Sequence, residues 1–235
     1  MVEMLGLIKS LKGPCKMDYW DEIYRNGNYE WGTEPTITCK ILREYLRKKD
    51  RARVLDIACG YGRDCIFLAK KGFEVRGIDI SGKGLSIAER WKRDEGLDIE
   101  FKCIDFLTSS FSTDSFDGIL VSNLIHHLGE KELTIFINKV RRILTPGGIA
   151  VLLFLSTSDN QYGKGEETGK NTFKTKGLDV HYFTEDETLG LFSLFKVLKL
   201  EEIEIVEPHS TGETHYHKEW LLVIKNEEGN VVLSK

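Results

Sequence analysis

A chain of 235 residues suits one domain with appendages and can bury a sizeable core. Hydrophobic residues make up 41% and charged residues 30%, a balance ordinary for globular proteins in water. The net charge of −4 supplies no global basic field, so neither nucleic acid nor an anionic membrane is an expected partner.

In chain order, Met1–Lys12 reads equally as a short amphipathic helix or as a frayed, partly ordered terminus. Its apolar run, Met4–Ile8, is too short for a signal-peptide core and lacks a preceding positive charge. Next come Asp18-Tyr19-Trp20-Asp21-Glu22-Ile23-Tyr24-Arg25 and Trp31-Gly32-Thr33-Glu34-Pro35. So many rings ahead of an α/β core predict a helical lid over residues 1–50, packed on a core over 51–235. Within that segment Ile37, Ile41, Leu42, Tyr45 and Leu46 recur at helical spacing, which predicts a helix over Thr36–Lys49 beside the first strand.

The central stretch is Val54–Ser81. Arg53–Ile57 reads as a buried strand, Ala58-Cys59-Gly60-Tyr61-Gly62 as a turn, and Arg63 as the start of a helix. Lys70 and Lys71 suit the negative end of that helix and Gly72 its C′ position. A second strand, Glu74–Asp79, ends in a carboxylate 17 residues beyond Gly62. Gly60 and Gly62 let the backbone turn tightly against a ligand, and the helix start behind them offers free N–H groups. Asp79 is placed to accept hydrogen bonds from two ribose hydroxyls. This is a βαβ unit for a nucleoside-like cofactor.

Ser81 is a good N-cap for a helix to about Asp94, and Ile99–Cys103 makes a third strand leading to Asp105-Phe106. Phe116–Asn123 is the fourth strand, and ligands of open α/β sheets bind at such carboxyl ends. Ser122, Asn123 and one histidine of Leu124-Ile125-His126-His127-Leu128 are therefore expected at the reacting group. His127 is the candidate general base, against the plainer alternative of a packed helix start. A helix over Glu130–Leu144 ends at a Thr145-Pro146-Gly147-Gly148 turn, and Ile149–Leu155 is an apolar fifth strand, too short to span a bilayer.

Ser156–Leu178 is polar and glycine-rich and reads as a long substrate-side flap, closing at His181-Tyr182-Phe183. Thr184 and Glu187 form a capping box for a helix to about Phe195, and Val197–Glu207 and Tyr216–Lys225 read as the last strands, before a turn at Asn226–Asn230 and an edge at Val231–Leu233. His215 and His217 share a strand face. With His181 and Tyr182 they are candidate substrate residues, and without a third ligand at suitable spacing no metal is expected. Five cysteines (Cys15, Cys39, Cys59, Cys65, Cys103) form no C-x-x-C pair and are odd in number, as expected of free thiols in the cytoplasm.

The D-x-x-C-G-x-G-R run from Asp56 to Arg63, with its downstream acid, resembles the first motif of class I S-adenosylmethionine-dependent methyltransferases. The Y-W-x-x-x-Y and W-G-x-x-P segments resemble the lid of tellurite-resistance and thiopurine-type members. The resemblance implies a Rossmann-like, doubly wound α/β fold with a mostly parallel seven-stranded sheet, helices on both faces, and S-adenosylmethionine as cofactor. It also implies residue roles. Asp56 helps fix the glycine loop near the methionine amino group, and Tyr24 and Trp31 lie at the methionine end, where a ring face favours a sulfonium. Asp105 accepts from the adenine amino group and Phe106 lies against the ring. Ala58, Arg63 and Ile80 complete the set with Gly60, Gly62 and Asp79.

The fourth strand ends S-N-L-I-H-H and not [DN]-P-P-[YF], the motif that grips planar exocyclic amines, so a small-molecule acceptor is expected, through oxygen, nitrogen, sulfur or a chalcogen oxyanion. Two other readings stand beside it. An NAD-dependent oxidoreductase would want a third glycine where Cys65 stands. A non-catalytic S-adenosylmethionine-binding module would act through a partner.

Overall fold

The computed structural model describes residues 16–208 and 214–227, so the expectations for Met1–Lys12 and Val231–Leu233 lie outside the described residues. Two helices precede the sheet, α1 (Lys16–Ile23) and α2 (Ile37–Leu46). The sheet and its crossovers follow as β1 (Arg53–Ile57), α3 (Arg63–Lys70), β2 (Glu74–Asp79), α4 (Gly82–Asp94), β3 (Ile99–Cys103), β4 (Phe116–Ser122), α5 (Glu130–Ile143) and β5 (Leu144–Leu155). Then come β6 (Glu166–Gly169), β7 (Thr172–Thr175), β8 (Leu178–His181), α6 (Glu185–Leu191), β9 (Lys196–Pro208) and β10 (Thr214–Lys225).

Seven strands form one sheet in the order β3-β2-β1-β4-β5-β10-β9, parallel from β3 to β5 and antiparallel at β10 and β9. The order reverses beside β1, which puts a crevice above the carboxyl ends of β1 and β4. Apolar side chains cover both faces. Phe136, Val140 and Ile143 of α5 pack with Leu55, Ile57, Ile119 and Leu152 on one side. Leu42, Leu46, Cys65 and Leu68 pack with Val54, Leu120 and Val151 on the other. Burying a side chain of this size stabilises the fold by about 1.5–3 kcal/mol.

Local signals account for most boundaries. Thr36 and Ser81 cap α2 and α4, their side chains accepting from Cys39 N and Gly84 N. Gly62, left-handed at φ +80, precedes α3, and Gly72 follows it at φ +87.

Four expectations are corrected. The 156–178 segment is no open flap, because β6, β7 and β8 pair into a three-stranded antiparallel sheet and bury Phe173, Val180 and Tyr182 with Leu155. The 145–148 turn is the start of β5: Asn226 exchanges backbone hydrogen bonds with Gly147 and Gly148 at 2.7 and 2.9 Å, and its side-chain amide donates to Leu144 O at 2.7 Å. The capping box on α6 is half formed, since Thr184 Oγ1 accepts from Glu187 N but the Glu187 carboxylate turns to His181; the helix ends at Leu191. Finally, α2 belongs to the core. Leu42 and Leu46 press on Gly118 of β4, where a Cβ would come within 2.6 Å of Leu46.

Candidate functional site

The turn after β1 takes a conformation that few residues accept. Ala58, Gly60 and Gly62 all have positive φ, at +61, +55 and +80. The cost of holding Ala58 there is offset by surrounding hydrogen bonds. Cys59 N donates to Ile78 O at 3.0 Å and Gly62 N to Cys59 O at 2.9 Å. Asp79 anchors the turn from the end of β2: Oδ2 accepts from Gly60 N and Oδ1 from Ser81 N, both at 2.8 Å. Burial pushes its carboxyl above the usual range against the pull of these N–H groups.

The two glycines serve different neighbours. A Cβ on Gly60 would stand 2.5 Å from the Tyr24 hydroxyl, so Gly60 admits the lid. A Cβ on Gly62 would meet Phe101 at 2.9 Å and Ala88 at 3.0 Å, so Gly62 admits packing from β3 and α4.

The segment before α2 crosses the carboxyl rim as a row of rings. Trp20 and Tyr24, one helical turn apart, reach to opposite ends of it. Trp20 lies edge-on to His127 with centroids 5.7 Å apart, while Tyr24 lies over Gly60 and Gly84 and edge-on to Trp31 and Tyr61, each at 6.0 Å. Burial, then Asp79, pushes the Tyr24 phenol well up, so it stays a neutral donor. Tyr61 Oη donates to Gly32 O at 2.8 Å and accepts from Trp31 N at 3.1 Å, and Arg63 Nη1 donates to Trp31 O at 2.8 Å. Asp21 of α1 accepts from Ser81 Oγ at 2.6 Å and Lys83 N at 3.2 Å, fastening the lid to α4.

Beneath the turn, Asp56 is buried and accepts from the Cys65 thiol at 3.3 Å. Burial, and next the Asp64 carboxylate, push it well above the usual range. Asp64, equally buried, accepts from Thr36 N at 2.8 Å and Thr36 Oγ1 at 2.6 Å. The chain of hydroxyls continues through Thr38 to Ser122 at 2.6 and 2.9 Å. Ser122, expected at the reacting group, is thus tied into a network joining β4, α2 and α3. Asn123, left-handed at φ +56, donates its N–H to Leu153 O and turns the chain out of the sheet.

At the end of β3, Asp105 is exposed and its carboxylate accepts from Leu107 N at 2.8 Å; Ile80, half-buried, accepts from the Cys103 thiol at 3.5 Å. Phe106 is a correction. Expected against a cofactor ring, it is buried edge-on to Phe136 and lies under the Lys139 ammonium.

Histidines form the other half of the rim. His126 is buried with its Nδ1 unpartnered, and its ring centroid is 4.3 Å from that of half-buried His127. Burial, then the charges of His127, His217 and His181, hold His126 well below the ordinary imidazole range. His181 corrects its substrate role, because Nδ1 meets Thr172 Oγ1 at 2.8 Å and Nε2 meets Glu187 at 2.9 Å, leaving neither nitrogen for a ligand. Tyr182 is corrected likewise: it is 2% exposed inside the small sheet, its phenol pushed up to about 12 by burial and Asp159. His215 is exposed, and His217 shares its face with ring centroids 6.2 Å apart. His217 Nδ1 meets the buried Asp159 carboxylate at 3.2 Å.

Residue pattern did not reveal the contacts of Tyr61, Asp64, Asp21 or Asp159, nor that Glu187 turns to His181. Tyr61 between two glycines and Asp64 in the first turn of α3 were visible positions, but their partners Gly32 and Thr36 lie 29 and 28 residues away.

The set fits a nucleoside cofactor. Asp79, which accepts from Gly60 N and Ser81 N, and the exposed Asp105 one strand over are carboxylate acceptors at the ends of β2 and β3. Tyr24, lying on Gly60, is the group that must yield room there.

Residues 54–148 match a family model described as a methyltransferase domain. Norajmaline N-methyltransferase of Rauvolfia serpentina is 30% identical over 144 residues, covering 54% of this chain and 49% of that enzyme. The chain spans about half the length of the curated relatives it matches. Among solved structures, an S-adenosylmethionine-dependent methyltransferase from Methanosarcina mazei is 25% identical with a TM-score of 0.69, covering 80% of this chain and 97% of that one. The Burkholderia thailandensis 1,6-didemethyltoxoflavin-N1-methyltransferase, solved with its substrate and S-adenosylhomocysteine, shares the fold at 17% identity and a TM-score of 0.66, covering 90% and 87%.

Proposed function

From the premise that the chain belongs to the class I S-adenosylmethionine-dependent methyltransferases, we propose that it transfers the cofactor's methyl group to a small-molecule acceptor. The observation that carries this reading is the Asp79 carboxylate, held between Gly60 N and Ser81 N at the end of β2. When bound, S-adenosylmethionine supplies an electrophilic methyl group, so the chain's task is mainly positioning. Asp79 takes the ribose hydroxyls and Asp105 the adenine amino group. The rings of Tyr24 and Trp31 cover the sulfonium end and exclude water, with Gly60 and Gly62 bringing the backbone close. Holding two reactants in line contributes about 7–11 kcal/mol of barrier reduction.

The acceptor enters on the side of His127 and His217. Where its nucleophile carries a proton, His127 takes it. The four described cysteines are free thiols, which supports a reducing compartment, the cytoplasm. No helix among the described residues is long and apolar enough to cross a membrane.

The test is an acceptor screen with tellurite, selenite, thiols, phenols and amines, reading S-adenosylhomocysteine release. Turnover with one class supports the proposal. Cofactor binding with no product across the panel points to a binding module, and calorimetric binding of NAD in place of S-adenosylmethionine points to an oxidoreductase.

A further inference from the structure

Four ammonium groups gather at the end of the sheet opposite the glycine turn. Lys48 and Lys49 follow α2, Lys196 opens β9 and Lys225 closes β10, and they line a concavity of about 480 Å³. In a chain of net charge −4 such a grouping is not the average surface. Lys196 and Lys225 are direct cross-strand partners, and like charges so placed repel. Asp117, the buried carboxylate beside them, is already used: it accepts from Lys49 Nζ at 2.7 Å and Arg53 N at 2.9 Å. Among the described residues Lys48, Lys196 and Lys225 form no ion pair. The floor is apolar, made by Leu46, Ile149 and Leu198, with the half-exposed Tyr45 ring at one side.

We propose that this concavity binds an organic polyanion: a flat apolar body bearing two or more sulfonate, phosphate or carboxylate groups. The anionic groups supply the counter-charge that Lys196 and Lys225 lack, and the body covers the apolar floor. A free inorganic anion would use only the lysines. The volume lies within the roughly 300–1,000 Å³ of small-ligand clefts, which favours a small molecule over a protein segment. Its place at the amino ends of the parallel strands separates it from the methyl-transfer site at their carboxyl ends.

Calorimetric titration of the full chain with naphthalene-1,3,6-trisulfonate tests this, beside tripolyphosphate for charge without a body and an oligoglutamate peptide for an acidic protein segment. The trisulfonate is expected to bind about tenfold more tightly than either, and about tenfold more weakly to the Lys196→Gln/Lys225→Gln variant. Added salt should weaken it in the unsubstituted chain. S-adenosylhomocysteine binding should be the same in both. If the double variant does not fold, Lys48→Gln, on an exposed turn, should show a smaller loss of roughly threefold. No binding, or equal binding to the variant, overturns the proposal. Equal affinity for tripolyphosphate leaves a bare charge patch and overturns it too, and tighter oligoglutamate binding replaces the small molecule by a protein partner.

Discussion

The two halves of the carboxyl rim are held in place by different means. Around the glycine turn the central anchor is one carboxylate gripped by backbone groups, Gly60 N and Ser81 N both reaching Asp79, and the N-terminal segment is tied on through Asp21, Gly32 and Thr36. Around the histidines the anchors are side chains, at both short and long separation in the chain. His217 leans on Asp159, 58 residues away, while His181 is clamped between Thr172 and Glu187 of neighbouring elements. The first half is centred on one supersecondary unit. The second is built from elements that follow β4, so changes there are expected to leave the cofactor turn undisturbed.

The contrast can be broken most sharply at Asp79. Asp79→Ala orphans two buried N–H groups, at about 1–3 kcal/mol each, and removes the ribose acceptor as well. Denaturant unfolding should show a loss of about 2–6 kcal/mol, and calorimetry a loss of cofactor binding. Unchanged affinity would remove Asp79 from the site. Gly60→Val comes next. A β-branched residue at φ +55, with its Cβ 2.5 Å from the Tyr24 hydroxyl, should weaken cofactor binding by about 2–3 kcal/mol. Normal binding would show that the turn does not lie against the ligand.

On the histidine side the largest effect expected is one of pH. His126 is neutral in the fold because burial holds it well below its ordinary value of 6.5, whereas the unfolded chain takes up a proton there. Its contribution is therefore fully present above pH 6.5 and is lost as the pH falls below it, at up to about 1.4 kcal/mol per unit. Unfolding curves between pH 5 and 7.5 should show this slope, flattened in His126→Asn. A flat profile in the unsubstituted chain would contradict it.

Glu187→Gln should cost about 1 kcal/mol of stability through His181 and leave cofactor affinity within about twofold. An equal loss of both would mean that the two halves are coupled. His215→Ala, on an exposed strand face, should change stability by less than about 0.5 kcal/mol.

Much of this architecture was legible from residue order alone. Ser81 caps its helix because a side-chain oxygen followed by helical periodicity is a short-range signal. The strand–turn–helix–strand run from Arg53 to Asp79 was legible for the same reason: its parts are neighbours, and steric rules on glycine and burial rules on strands act within a few residues. The 156–181 region was misread because a polar, glycine-rich stretch with short strands carries little periodicity, and only pairing with β7 reveals β6 and β8.

By itself, then, the order of residues determined the α/β class, the glycine turn and the acid at the end of β2, since each follows from local backbone sterics and spacing. Tertiary structure alone decided that Tyr24 fills the space over Gly60, that Phe106 turns into the core, that Asp64 reaches across to Thr36 and that four lysines meet at the far rim. Those outcomes depend on contacts between residues far apart in the chain, and which side chains meet across such distances is decided by packing.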